Sequence, residues 1–346
     1  MNMTKLIRIT VGSAAALFGL GILLVSCLII AVNVSPKPFA WYISNGMGIE
    51  PVVPALYNDL RQSVRIEKNI EYPSQFKSNS LDIFAPVTAA APFPTIIWVH
   101  GGAFVGGDKS DLETWATMIA AKGYTVVSIN YELAPQRHYP GPVIQLGEVY
   151  EFLKNEAQRF PTVDLQRLII GGDSAGAQIA SQFVALQTNP VLAASMEMEA
   201  LIPDGDLIAA ILFCGPYDLV NLYDAESWFG RFFVRQLGWA YFGLRNWRDS
   251  PQASHASTIR NVVSGYPDTF ITDGNTGSFE KDARSLEVAL RKNGVYTDAL
   301  YYPLEHGLVG HEYQFDFSLD ESLEAYDRTL AFLEKVTTED QNRARK

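Results

Sequence analysis

Cysteine is nearly absent from this chain. Its two copies, Cys27 and Cys214, fall in an apolar N-terminal run and in a predicted core strand. That argues against a disulfide-stapled scaffold, and neither cysteine has the company of a metal site. Positive charge is scarce as well: 27 lysines and arginines face 38 acids, for a net charge of −11. No basic stripe forms, so nucleic-acid binding has no electrostatic support. Internal repeats and low-complexity tracts are missing too. Histidine occurs only at positions 100, 138, 255, 306 and 311, which shortens the search for a catalytic base. What remains is a chain of 346 residues, 48% of them hydrophobic. That is ample for one large α/β domain with a sizeable core.

Charge is missing altogether between Val11 and Val32, a run long enough to cross a bilayer as a helix. Lys5 and Arg8 precede it, and the first acid is Glu50. The positive-inside rule then places residues 1–8 in the cytoplasm, 9–33 in the membrane and the rest outside. A run that is apolar on every face is disfavoured as a buried soluble helix. Two other readings stay open. One is a cleaved signal peptide, for which the apolar core is long. The other is a lipoprotein attached at Cys27, because Leu24-Val25-Ser26-Cys27 resembles a lipobox. Against it, the chain stays apolar through Val32.

Residues 34–62 read as a proline-punctuated linker that has room for a short helix. From residue 63 onward strands and helices alternate. Strands are predicted at 64–66, 81–84, 95–99, 125–130, 167–171, 207–214, 269–272 and 299–302. Helices are predicted at 113–122, 143–160, 278–293 and 319–336, with another starting at Ala175. Such alternation implies an α/β fold, a mostly parallel central sheet covered by helices on both faces. Residues 216–262 interrupt the rhythm with eight aromatics between Trp228 and Trp247. They read as a helical, cap-like insertion in a domain spanning 63–336. Residues 337–346 form a charged tail that is expected to fray.

Two motifs stand at predicted C-terminal strand ends, where open parallel sheets place their sites. Gly172-Asp173-Ser174-Ala175-Gly176 lies between an apolar strand and a helical pattern. In that setting Gly-x-Ser-x-Gly puts the serine on a strained elbow above a helix N-terminus. About seventy residues upstream, His100-Gly101-Gly102-Ala103-Phe104 follows a strand. A small-residue loop of this kind can aim backbone amides at one point, as an oxyanion hole requires. Gly102 and Ala103 would donate there, together with Ala175.

With Ser80–Pro86, Tyr131-Glu132-Leu133-Ala134-Pro135 and the late His311, these motifs resemble the hormone-sensitive-lipase-like group of serine esterases. The likeness covers roughly residues 63–336. It implies an α/β-hydrolase fold, an acyl-serine intermediate, a small-molecule ester substrate and no metal or organic cofactor. An acyltransferase or amidase using the same serine, or a non-catalytic binding protein of the same fold, are the other readings. The group often has a third glycine where this chain has Ala103.

The fold's chain order is serine, acid, histidine. His311 is the preferred base and His306 the alternative, since both follow the last predicted strand. The group usually shows Gly-x-Asp after strand 269–272, whereas this chain has Gly274-Asn275-Thr276. Asp273 is therefore the first candidate acid, Glu280 and Asp218 are alternatives, and a dyad without an ionised partner completes the set.

Overall fold

The computed structural model describes residues 3–46, 52–87, 92–222 and 227–344. Positions 47–51 of the expected linker and 223–226 of the expected cap lie outside them. Eight strands form one sheet: β1 Val64–Glu71, β2 Ser80–Pro86, β3 Phe93–Val99, β4 Thr125–Ile129, β5 Val163–Asp173, β6 Leu207–Phe213, β7 Asp268–Thr272 and β8 Thr297–Leu300. Their spatial order is β1-β2-β4-β3-β5-β6-β7-β8. β1–β2 and β2–β4 pair antiparallel, and all later pairings are parallel.

The central strands are apolar without alternation because both faces are covered. Along β3, Ile97 and Val99 enter one core while Ile96 and Trp98 enter the other. β6 repeats the pattern, with Ala210 and Leu212 on one side and Ala209, Ile211 and Phe213 on the other.

The helices are α1 Met3–Val34, α2 Lys37–Gly46, α3 Tyr57–Arg61, α4 Glu113–Ala120, α5 Gly141–Asn155, α6 Ala175–Thr188, α7 Pro190–Ser195, α8 Trp228–Phe242, α9 Pro251–Ala256, α10 Glu280–Lys292 and α11 Asp320–Ala344. α4 and α11 supply Trp115, Phe332 and Leu333 to one core. α5, α6, α8 and α10 supply Leu146, Phe183, Leu237 and Leu286 to the other. The charged end read as a fraying tail continues α11 to Ala344, with Lys335 and Glu339 paired at 3.1 Å on successive turns.

α1 contains one segment, Leu17–Val34, long and apolar enough to cross a membrane, and none of it is buried in the protein. The stretch expected as a linker is more ordered than its prolines suggest. α2 packs Phe39 edge-on against Phe232 and Phe233 of α8, at centroid distances of 5.2 and 5.9 Å. Gln236 of α8 donates its side-chain amide to the Val32 carbonyl at 3.0 Å.

Candidate active site

β5 ends at Asp173 and α6 begins at Ala175, leaving Ser174 alone in the turn at φ 50°, ψ −118°. That conformation costs a non-glycine residue roughly 1–3 kcal/mol and persists only where its surroundings enforce it. Here the Ser174 amide donates to the Phe213 carbonyl at 2.8 Å. The flanking glycines are obligatory: a Cβ on Gly176 would lie 2.0 Å from the Val99 carbonyl oxygen, and one on Gly172 2.5 Å from that of Gly176. Ser174 thus stands at the positive end of a 14-residue helix.

The loop after β3 turns sharply, with Gly102 at φ 107°, Ala103 at 55° and Phe104 at 66°. The Gly102 carbonyl accepts from the amides of Val105 and Gly106 at 3.0 and 2.9 Å, which closes the turn. Ala103 tolerates its left-handed backbone at some cost, and its methyl lines the cavity beside Ser174. The amides of Gly102, Ala103 and Ala175 have no protein acceptor among the described residues. His100 braces the loop from below. It stacks on Tyr131 at 4.5 Å, and its Nδ1 is 2.7 Å from the Gly101 carbonyl. Burial lowers its pKa and keeps it neutral.

His311 lies with Nε2 3.0 Å from Ser174 Oγ. Its Nδ1 does not meet a carboxylate; it lies 2.7 Å from Ser278 Oγ, and Ser278 in turn donates to Asp273 Oδ1. No motif singled out Ser278, which sits in the loop before α10. Desolvation lowers the His311 pKa to about 4. Desolvation also pushes Asp273 up to about 8, against the Ser278 hydroxyl and the backbone amides of Gly274 and Phe279.

The other candidates are engaged elsewhere. His306 is 2.7 Å from Glu321 and packs on Tyr302. Glu280 pairs with Arg284 at 2.7 Å on the first turn of α10, and Asp218 with Arg260 at 3.2 Å. Cys214, Asp273 and His311 offer ligand atoms within 4.8 Å of one another. This set suits a metal poorly. Burial drives the Cys214 thiol pKa well upward, so it stays a thiol, and both His311 nitrogens face hydroxyls.

A second cluster that sequence reasoning missed lies behind the loop. Asp173 accepts from Trp98 Nε1 and from the Gly101 amide, each at 2.7 Å. Glu312, next to His311, hydrogen-bonds to the Asp173 carboxylate and has its pKa driven well up, first by burial and then by that neighbouring charge. Burial raises Asp173 to about 6. Two such carboxyls hold one proton between them, and Glu312 is the donor. The Glu312 Oε1 atom is also 3.8 Å from His311 Nε2.

Above Ser174 opens a cavity of about 220 Å³ with almost wholly apolar walls. Phe233, Leu237, Tyr241 and Trp247 of the aromatic insertion line it, together with Leu219 and Phe279. The volume falls below the ~300–1,000 Å³ of pockets that enclose drug-sized ligands.

Known proteins resemble this chain in sequence and in fold. An acetyl esterase of Salmonella choleraesuis (strain SC-B67) is 25% identical over 224 residues, or 60% of this chain. The match spans 63% of that relative's length, under two thirds. Esterase B from Lactobacillus rhamnosis (HN001) superposes with a TM-score of 0.73 at 19% identity, over 93% of this chain and 99% of that one. The same esterase inhibited by a tributyrin phosphonate gives a TM-score of 0.72 at 20% identity, over 93% and 99%. At such identities these likenesses speak for the fold, which is that of the α/β-hydrolases. The BD-FAE family model matches residues 81–288, more than half of the sequence and the stretch that carries both motifs, and the chain belongs to that family.

Proposed function

We propose that this chain is a membrane-anchored serine carboxylesterase, with α1 in the bilayer and the catalytic domain on the extracytoplasmic side. The observation that carries the reading is the 3.0 Å approach of His311 Nε2 to Ser174 Oγ at the mouth of an apolar cavity. Ser174 attacks the ester carbonyl as His311 Nε2 takes its proton. Negative charge gathering on the carbonyl oxygen is met by the amides of Gly102, Ala103 and Ala175. His311 then passes the proton to the leaving alcohol, and an acyl-serine remains. Water, deprotonated by the same nitrogen, releases the acid.

Throughout, the Nδ1 proton of His311 points at Ser278 Oγ, and the Ser278 proton at Asp273. This fixes the tautomer that leaves Nε2 free to accept. Once ionised, Asp273 balances the imidazolium across one intervening hydroxyl. These steps use only protein groups and water. The cavity suits a short acyl group, in keeping with the acetyl esterase and tributyrin-phosphonate names of the relatives.

The test is direct. Full-length protein should hydrolyse p-nitrophenyl acetate and butyrate and label with a fluorophosphonate, and Ser174→Ala should do neither. Persistent labelling of Ser174→Ala would refute the assignment.

A further inference from the structure

Val32 lies in the last turn of the apolar helix α1, and its carbonyl is held by Gln236 of the cap helix α8. If α1 spans the bilayer, the Gln236 side chain bonded to that carbonyl brings α8 to the membrane boundary. Phe233, Val234 and Leu237 on neighbouring positions of α8 wall the cavity over Ser174. One helix diameter, about 10 Å, then separates the bilayer edge from the site.

The outward surface of this corner is built differently from the rest of the molecule. Trp41 and Tyr42 on α2 and Trp228 and Phe229 on α8 are all exposed, at 69, 67, 74 and 57%. Trp228 stacks on Phe232, which meets Phe39, so the exposed aromatics are continuous with the α2–α8 contact. Charge is inverted here as well. Residues 224–249 hold four arginines against three acids, Asp224, Glu226 and Asp249, and α2 holds Lys37 and no acid, in a chain with an excess of acids. Arg235, Arg245 and Arg248, with the single acid Asp249, line a polar pocket that shares Trp247 with the catalytic cavity. Interfacial aromatics beside cations, at the point where a membrane helix leaves the bilayer, match the chemistry of lipid headgroups.

We propose that α2 and α8 dock on an anionic bilayer surface, Trp41, Tyr42, Trp228 and Phe229 entering the headgroup layer and Arg235 and Arg245 facing lipid phosphates. The site then takes its substrate from the membrane: an apolar ester with a short acyl group and an alcohol portion that partitions into lipid. This rests on the anchored-esterase reading above.

Full-length protein in nanodiscs containing phosphatidylglycerol, with and without bromines on the acyl chains, reads the docking directly. Brominated lipid should quench tryptophan emission in the wild type, and Trp41→Phe/Trp228→Phe should lose most of that quenching. Two butyrates then read the supply route: dodecyl butyrate dissolved in the bilayer, and water-soluble p-nitrophenyl butyrate. Arg235→Glu/Arg245→Glu should slow the first roughly tenfold and leave the second unchanged. Equal quenching in wild type and double variant, or equal slowing of both esters, overturns the docking face. Wild-type protein that turns over neither ester strikes the esterase reading instead, and the quenching still decides the docking face.

Discussion

Ser278 holds His311: its hydroxyl oxygen lies 2.7 Å from the imidazole Nδ1, where a triad would put a carboxylate. Asp273 stands behind the hydroxyl rather than behind the ring. Orientation of the imidazole and neutralisation of its charge, usually combined in one side chain, are divided here between two.

That division predicts a particular pattern in variants. Ser278→Ala should lower kcat roughly 10²-fold with little change in KM, because the ring loses its orienting partner. Ser278→Asp combined with Asp273→Asn moves the carboxylate onto Nδ1 and should recover most of the loss. Failure of that double variant to exceed Ser278→Ala would show that the hydroxyl does not position the base.

The two shifted groups set a pH profile. His311 must be neutral to accept a proton, so kcat/KM should rise through about pH 4 as it deprotonates. Asp273 is held protonated by burial up to about pH 8, and its ionised form balances the imidazolium better. A second rise is therefore expected as pH passes about 8. Asp273→Asn should abolish the upper rise and keep the lower one, as measured with an ester stable to alkaline hydrolysis.

Glu312 acts through a proton rather than a charge. Glu312→Gln keeps a donor for Asp173 and should stay within about threefold of wild-type kcat. Glu312→Ala leaves the buried Asp173 short of a partner, at a cost of about 1–3 kcal/mol. The loop beside it loosens, and fluorophosphonate labelling should slow about tenfold or more. Equal rates in the Gln and Ala variants would remove Glu312 from the site's support.

The cavity depends on a close approach inside the cap. A Cβ on Gly238 would sit 2.0 Å from the Trp247 ring, which is already stacked on Phe242. Gly238→Ala therefore shifts Trp247, whose ring lines the cavity, at a cost of about 1–3 kcal/mol. Hexanoate should suffer a larger rise in KM than acetate. A uniform change across acyl lengths would separate Trp247 from acyl selection.

How much of this was legible beforehand follows physical range. The elbow and the loop at residues 100–104 are local steric demands, met by glycines within a few positions, so their spacing carries them. The strands were legible because a sheet covered on both faces needs unbroken apolar runs. Asp273 and His311 could be named as candidates from their place after β7 and β8. Their bridge could not, because Ser278 reaches His311 only when the loop through Val309 and Gly310 folds over Gly274, where a Cβ would lie 2.2 Å from the Gly310 carbonyl. The Asp173–Glu312 pair joins residues 139 positions apart, and the seat of α2 on α8 is more distant still. No periodicity encodes such contacts.

The carboxyl of Asp173 grips Trp98 and the Gly101 amide while its own backbone leads directly into Ser174. Nucleophile and oxyanion donors are consequently not two parts brought into register but two ends of one clamp. Damage at either end disarms the other, so the rate of phosphonate capture doubles as a gauge of whether the whole sheet edge has assembled.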